Sequence, residues 1–467
     1  MKSTVKKTNQ TLNSFLAGTA FIATLGGFLF GFDMAVISGV LPFVKSQFGL
    51  SSAAEGWFVS SALVGCIIGV LFSGDLSDRL GRKKLLMLSA LLFLLSAIAA
   101  TVSSGFTQLV LSRMLGGMGV GTASIVAPLY LSEIAPAAIR GRLVTFYQLA
   151  ITVGILIAYI TNAAMLNFAA QHTGTIMAPF FRILLVKEPW RGMLGLGIIP
   201  ALLFFTGLCF VPESPWWLMQ KGQDDHAVRI FKRLLGSDAA GRPVPITESN
   251  NADEKGSYKE IFSRTMRKPL IIALLLPLFS QFSGINTVIY YGPQILNAAG
   301  IPINKALLSQ IVFGVANFIF TLIAVWKVDQ MGRRPLYLTG SIGACVCLLF
   351  TGICFYTGNT ESIALVIGIV LFLACFAFSI GPLKFVIAAE IFPTEIRGRA
   401  MGLSILVMWV ADTVVGQLTP ILLGTVGPGI TFWFFSGCCL LSFLTVLKLV
   451  PETKGKSLED VQKLWIH

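Results

Sequence analysis

Charge is the first scarcity. Asp, Glu, Lys and Arg make up 12% of the 467 residues, against about 25% in an ordinary soluble chain. Half the usual fraction cannot clothe one or two soluble domains of this length in a polar surface. Histidine is rarer still. His172, His226 and His467 are scattered, no HExxH occurs, and a histidine-based metal centre is excluded. The eight cysteines lie inside apolar stretches without a CxxC pair, so they read as small buried apolar side chains. GxxxxGK[ST] is absent, and with it any sign of an ATP-driven motor. No nucleophile–base constellation marks a membrane enzyme, and the short alternating segments of a transmembrane barrel are missing too.

What the chain has instead is 55% hydrophobic residues in runs of twenty or more. Windows fall near residues 15–42, 54–77, 84–102, 108–133, 143–165 and 191–211, then 269–299, 306–328, 335–356, 361–391, 398–423 and 428–449. A helix needs about 20 residues to cross ~30 Å of hydrocarbon, and each window suffices. The pattern predicts an all-α membrane protein of twelve transmembrane helices in two six-helix halves. The halves are residues 1–211 and 269–450, joined by a linker over 212–268 and followed by a tail over 451–467. Three lysines before the first run mimic a signal peptide. The run is too long for one and lacks a cleavage site, so it reads as a retained first helix.

The basic residues set the expected orientation. With both termini cytoplasmic, the opposite-side loops carry only Lys45, Arg182, Lys187 and Lys305 of the 35 Lys and Arg. The net charge of +13 is then topology plus attraction to anionic membrane lipid. Nucleic acid is not an expected partner, because no soluble basic surface with stacking aromatics exists. No obligatory protein partner is evident either.

The two halves repeat. Asp78-Arg79-Leu80-Gly81-Arg82-Lys83 returns 251 positions later as Asp329-Gln330-Met331-Gly332-Arg333-Arg334. Glu133-Ile134-Ala135-Pro136 with Arg140-Gly141-Arg142 returns at offset 257 as Glu390-Ile391-Phe392-Pro393 with Arg397-Gly398-Arg399. Val211-Pro212-Glu213-Ser214 returns at offset 239 as Val450-Pro451-Glu452-Thr453. A duplicated six-helix unit rocking about a central site is the physical logic of alternating access. The linker shows an amphipathic stretch from Ala227 to Leu235, then Gly, Pro, Asn and Asp-rich sequence to Gly256. A few short helices and a flexible connection are expected there.

These loops resemble the major facilitator superfamily, and their details resemble its sugar porter family. The resemblance rests on the DRxGRR-type loops, on Pro212-Glu213-Ser214-Pro215-Trp216-Trp217-Leu218, and on both E-x-x-P-x-x-x-R-G-R segments. It rests also on Gln281-Phe282-Ser283-Gly284-Ile285-Asn286 followed by Tyr290-Tyr291, close to the family's QQxxGIN…YY. It covers nearly the whole chain, and bacterial proton-coupled xylose transporters and animal glucose facilitators are the types it points to.

Asp33 lies well inside the first helix. A carboxylate there costs roughly 2.5–3.5 kcal/mol by insertion scales, so it normally faces a cavity or a partner. It is a candidate proton carrier or one half of a structural ion pair. Arg113 in the fourth helix is the natural partner, and Gly117 and Gly121 at i+4 and i+8 let another helix approach closely. The resemblance implies that Asp33 and Arg113 form the proton-coupling pair, an aspartate that passive members lack. It also implies a sugar site of Gln148, Gln281, Asn286 and Asn317, amides able to donate and accept at once. Phe385 and Trp409 would supply aromatic faces, and Tyr290 and Tyr291 would gate the outer side or anchor at the interface. Gly284, with Pro277 upstream, predicts a break in the seventh helix.

The chain departs from the family pattern at several of these places. Phe385 stands where relatives carry tryptophan, Ser280 where the first of two glutamines is usual, and Ile155 and Met408 at further polar positions. Asp412 takes a usual asparagine position. Lys384 and Asp412 are thus an extra pair of charges. Lys384 could snorkel toward the Glu390 end of its helix. Asp412 could pair with Lys384, bond a sugar hydroxyl or carry a proton of its own.

Glu133, Arg142, Glu390 and Arg399, beside Arg82, Arg333 and Glu213, look like a cytoplasmic latch. In the family such groups bridge the halves in the outward-open state and part when the protein opens inward; positive-inside topology alone is the other reading. The expectation is a secondary transporter, not an enzyme, importing a pentose or hexose by proton symport. It would use no cofactor beyond the coupling proton and sit in a bacterial inner membrane. A passive uniporter and a non-transporting sugar sensor are the rivals, and the short tail argues against the sensor.

Overall fold

The computed structural model describes residues 13–136, 139–174, 176, 178–235, 258–358, 363–452 and 454. The linker sequence between 236 and 257 and nearly all of the tail lie outside the described residues. Twelve helices are long and apolar enough to span a membrane. They are α1 Ser14–Phe48, α2 Ser52–Leu80, α3 Arg82–Val102, α4 Phe106–Ile134 and α5 Arg140–Gln171. Next come α6 Pro189–Phe210, α7 Arg267–Ala298, α8 Ile303–Met331 and α9 Arg333–Tyr356. The last are α10 Ile363–Ile391, α11 Thr394–Thr425 and α12 Gly427–Leu449. Each coincides with one predicted window, and most run a few residues past it because polar caps and basic first turns extend the helix beyond its apolar run. Phe21, Phe72, Leu111, Leu203 and Ile319 are exposed on the flanks, as lipid-facing side chains should be. The protein is an integral membrane protein.

Small residues decide which helices touch. Gly65 and Gly69 of α2 press on the Met114 and Met118 carbonyls of α4, while Gly117 and Gly121 of α4 press on those of Ala62 and Cys66. A methyl at any of the four would overlap the other backbone. The glycine stripe following Arg113 therefore seats α4 on α2. Gly31 and Gly154 do the same for α1 and α5, facing the Ile151 and Phe28 carbonyls.

The repeated loops share one end of the bundle, termed the basic end, and the duplication recurs atom by atom. Gly81 and Gly332 enter α3 and α9 with φ of 95° and 90°. Glu213 accepts from the backbone N–H groups of Arg82 and Lys83 at 2.9 and 3.0 Å. Glu452 accepts from those of Arg333 and Arg334, both at 3.1 Å. A carboxylate thus caps the N-terminus of α3 and of α9, where unpaired N–H groups and the helix dipole favour it. Linker helices Pro215–Gln220 and Asp224–Leu235 follow α6. The second buries Ala227, Ile230 and Leu234 and docks on the start of α1, where Arg233 lies 4.0 Å from the Phe15 ring centroid.

Among the described residues α6 is interrupted at Leu196–Gly197, and two further helices break near the middle of their spans. In α7 the helix stops at Phe282 and restarts at Ile285. Gly284, at φ 81°, turns the chain, and a side chain there would strike Phe435. This is the predicted break. The second was not foreseen: α10 widens to π-helix over Phe376–Ile380, just before Pro382, which has no N–H for the carbonyl four residues back. A short helix over Pro179–Arg182 and a π-turn over Ile183–Lys187 before α6 were also unpredicted, because they fall between apolar windows.

Candidate functional site: a cavity between the halves

The halves meet most closely where α2 packs on α11 and α5 on α8. Gln417 of α11 accepts from Ser60 Oγ at 2.9 Å and donates to the Ala53 carbonyl at 3.0 Å. Gly56 presses on the Gln417 backbone, and Gly314 of α8 packs on Leu156 and Tyr159 of α5. Tyr159 donates to the Ile289 carbonyl at 3.4 Å, and the Tyr290 hydroxyl reaches Met34 Sδ at 3.6 Å. All these contacts lie away from the basic end. Gln148, eight residues or about 12 Å along α5 from its basic-end start, is exposed and lines the central cavity. The cavity is therefore closed toward the opposite end and reaches toward the basic end.

All eight sequence-predicted binding or charge positions from α5, α7, α8, α10 and α11 come together on its wall: Gln148, Gln281, Asn286, Asn317, Lys384, Phe385, Trp409 and Asp412. The two helix breaks explain how. The α7 break places Gln281 on one side and Asn286 on the other, and Asn286 Nδ2 donates to Gln281 Oε1 at 3.0 Å and to Asp412 Oδ1 at 2.7 Å. The Tyr290 hydroxyl donates to Asp412 Oδ2 at 3.2 Å, so both carboxylate oxygens are engaged. Trp409 stacks at a tilt on Phe30 of α1, centroids 5.4 Å apart, and its buried indole N–H has no partner among the described residues. Such a donor at a cavity wall awaits a ligand or water.

Lys384 does not snorkel. Its ammonium turns into the protein, donates to Ser280 Oγ at 2.9 Å and lies 5.2 Å from the Phe385 ring centroid. The π-turn and Pro382 aim this part of α10 inward, a signal the residue count to Glu390 could not carry. Lys384 makes no direct ion pair with Asp412 among the described residues. The two tyrosines also divide. Both are buried, which argues against interfacial anchoring. Tyr290 meets the other half, whereas Tyr291 donates to the Gly416 carbonyl at 2.7 Å within its own half.

Asp33 and Arg113 are paired as expected, Arg113 Nη1 lying 2.6 Å from Asp33 Oδ1. The guanidinium is 2% exposed, while Asp33 Oδ2 and Arg113 Nε have no hydrogen-bond partner among the described residues. The pair is not in the central cavity. It lines a small separate void with Phe93, Ser96 and Leu194, behind α1, while Phe30, Gly31 and Met34 of the same helix face the cavity.

Several basic-end charges pair inside their own half. Arg82 pairs with Glu133 at 3.0 Å and Asp78 at 3.2 Å, and Arg333 with Glu390 at 3.1 Å. Ser214 Oγ also donates to Glu133. Each of these pairs lies inside one half and braces its loops, and a latch between the halves is expected to be parted in a conformation whose cavity reaches this end. Arg142 is exposed and without a partner among the described residues, and Arg399 is half-buried. Sequence reasoning missed the Gln417 bridge, and it missed the ion pair of Lys45 with the buried Glu55, 2.7 Å apart. A glutamine in an apolar window carries no pattern that announces its partner.

The comparisons with known proteins agree with this arrangement. The family model described as Sugar (and other) transporter matches residues 19–465, and the chain belongs to that family. It is 39% identical to the arabinose-proton symporter of Bacillus subtilis (strain 168) over 95% of this chain and 94% of the relative. It is 37% identical to the D-xylose-proton symporter of Escherichia coli (strain K12), covering 97% and 96%. Among solved structures it resembles the inward open conformation of the xylose transporter XylE from E. coli. There the TM-score is 0.82 at 33% identity, covering 97% of this chain and all of that one.

Proposed function

We propose that the chain is a monosaccharide carrier that imports its sugar together with a proton by alternating access. The observation carrying this reading is the placement of α1 between two sites. One face of its middle lines the cavity through Phe30, Gly31 and Met34, and the other presents Asp33 to Arg113. The sugar binds to the amides Gln148, Gln281, Asn286 and Asn317 against Trp409 and Phe385. The proton is the coupling ion and binds Asp33, whose Oδ2 is free of other bonds. Neutralising Asp33 removes its attraction to Arg113, so α1 is held less firmly to α4 and the halves can rock with sugar between them. Both termini face the cytoplasm, the basic end is cytoplasmic, and this conformation faces inward. The two proton symporters that the chain resembles are bacterial, which supports a bacterial plasma membrane.

The test is uptake into proteoliposomes of labelled pentoses and hexoses, with and without an inward proton gradient, beside Asp33→Asn. Accumulation above equilibrium in the parent, lost in the variant while sugar exchange survives, is the expected result. Gradient-insensitive equilibration in both proteins would make this a uniporter with a structural Asp33. Binding without exchange would make it a sensor.

A further inference from the structure

One charged group in the cavity is left unexplained by the carriage of a neutral sugar. Lys384 is 8% exposed. The Phe376 and Phe385 rings lie beside its ammonium, on a cavity wall that also carries amides and Asp412. An ammonium carries three donors. Ser280 Oγ takes one, and the Phe385 and Phe376 rings, 5.2 and 6.0 Å away, give only the partial relief of cation–π contact. Asp412 lines the same cavity but makes no ion pair with it among the described residues, its oxygens being held by Asn286 and Tyr290. A buried ammonium without a contacting anion carries a desolvation cost of several kcal/mol. Sugar hydroxyls can accept its hydrogen bonds but cannot neutralise it.

Building on the monosaccharide-carrier reading, we propose that the sugar carried is itself a carboxylate, a uronic acid or similar sugar acid, with Lys384 as its counter-ion in the cavity. The ring would lie against Phe385 and Trp409, with hydroxyls on the amides of α5 and α7. The Asn286 and Tyr290 donors hold the Asp412 oxygens and screen the incoming anion from them. The charge balance of transport then changes. One carboxylate and one proton crossing together move no net charge, whereas a neutral sugar with one proton moves one.

The experiment uses the full-length protein in liposomes with labelled D-glucuronate and D-galacturonate beside D-xylose, L-arabinose and D-glucose. A pH gradient and a valinomycin-set potential of about 100 mV are applied separately. Uronate uptake should follow the pH gradient and ignore the potential, which would change the accumulation of a neutral sugar moved with one proton by up to about 50-fold. Lys384→Met should weaken uronate affinity by about 30-fold or more and lower the ratio of uronate to aldose affinity. Asp412→Asn removes a nearby anion and keeps an acceptor for Asn286, so it should tighten uronate binding; unchanged or weaker uronate binding overturns the proposal. That second variant and the parent's substrate panel decide the matter even if Lys384→Met fails to fold. Uptake of aldoses with no uptake of uronates overturns the proposal and leaves the sugar-carrier reading standing. Uronate affinity unmoved in folded Lys384→Met also overturns it. Transport of neither class overturns both.

Discussion

Gln417 should set how often the carrier opens at the end away from the basic loops. Its side chain makes two hydrogen bonds across the halves, to Ser60 and to the Ala53 carbonyl. Each such bond is worth about 0.5–1.5 kcal/mol net, so Gln417→Ala removes about 1–3 kcal/mol from the state closed at that end. A carrier that cycles keeps its two states within a few kcal/mol of each other. The loss should therefore raise the population open at that end by about 5- to 150-fold relative to the closed one. Spin labels at Ala53→Cys and Thr425→Cys, exposed positions on α2 and α11, report the separation after the native cysteines are replaced. The distance distribution should gain a longer component in Gln417→Ala. Ser60→Ala, which removes one bond of the two, should give about half that shift in free energy. Unchanged distributions in both variants would refute the claim that these bonds hold the closed end.

Other outcomes follow from buried partners. Asp33→Asn leaves the Arg113 guanidinium, 2% exposed, without its anion, and should destabilise the protein by about 3–5 kcal/mol in reversible denaturation. Adding Arg113→Met should recover most of that loss while proton-driven accumulation stays absent; additive losses would mean that the pair is not an energetic unit. Gly31→Ala places a methyl on the Ile151 carbonyl. It should cost about 1–3 kcal/mol and lower sugar affinity as α1 shifts, whereas Gly18→Ala, with open space around it, should do neither. Glu213→Ala strips the cap from α3 and should cost about 0.5–2 kcal/mol, read as a lower melting temperature with the sugar panel unchanged in rank.

The twelve spans were legible because lipid imposes one rule, a long apolar run per crossing, that composition cannot hide. The internal repeat was legible too, and it foretold more than topology. Glu213 and Glu452 occupy equivalent caps, and Arg82–Glu133 has its counterpart in Arg333–Glu390. Sequence alone does not separate a bridge between halves from a brace within one, since both use the same residue types. Gly284 announced its break because a positive φ needs glycine. Pro382 gave a weaker signal, and the π-turn it accompanies decides that Lys384 points inward. Side-chain direction at a helix irregularity is not a property of periodicity, so the snorkelling alternative for Lys384 could not be rejected from spacing.

The cavity and the ion pair constrain one another through the thinness of α1. Gly31 lets that helix lie against the Ile151 backbone, and two residues later Asp33 meets Arg113 on the other side. Under the proposed mechanism, a proton arriving at Asp33 never touches the sugar. It changes the force holding α1 to α4, and α1 carries Phe30 against Trp409 and Met34 against Tyr290. Tyr290 in turn bonds Asp412, which bonds Asn286. Proton and sugar would thus act on the same chain of contacts from opposite ends, the arrangement that linkage between two ligands requires. A carboxylate sugar held by Lys384 would enter that chain at the Asp412 end, so substrate charge and proton charge would be read by one set of helices.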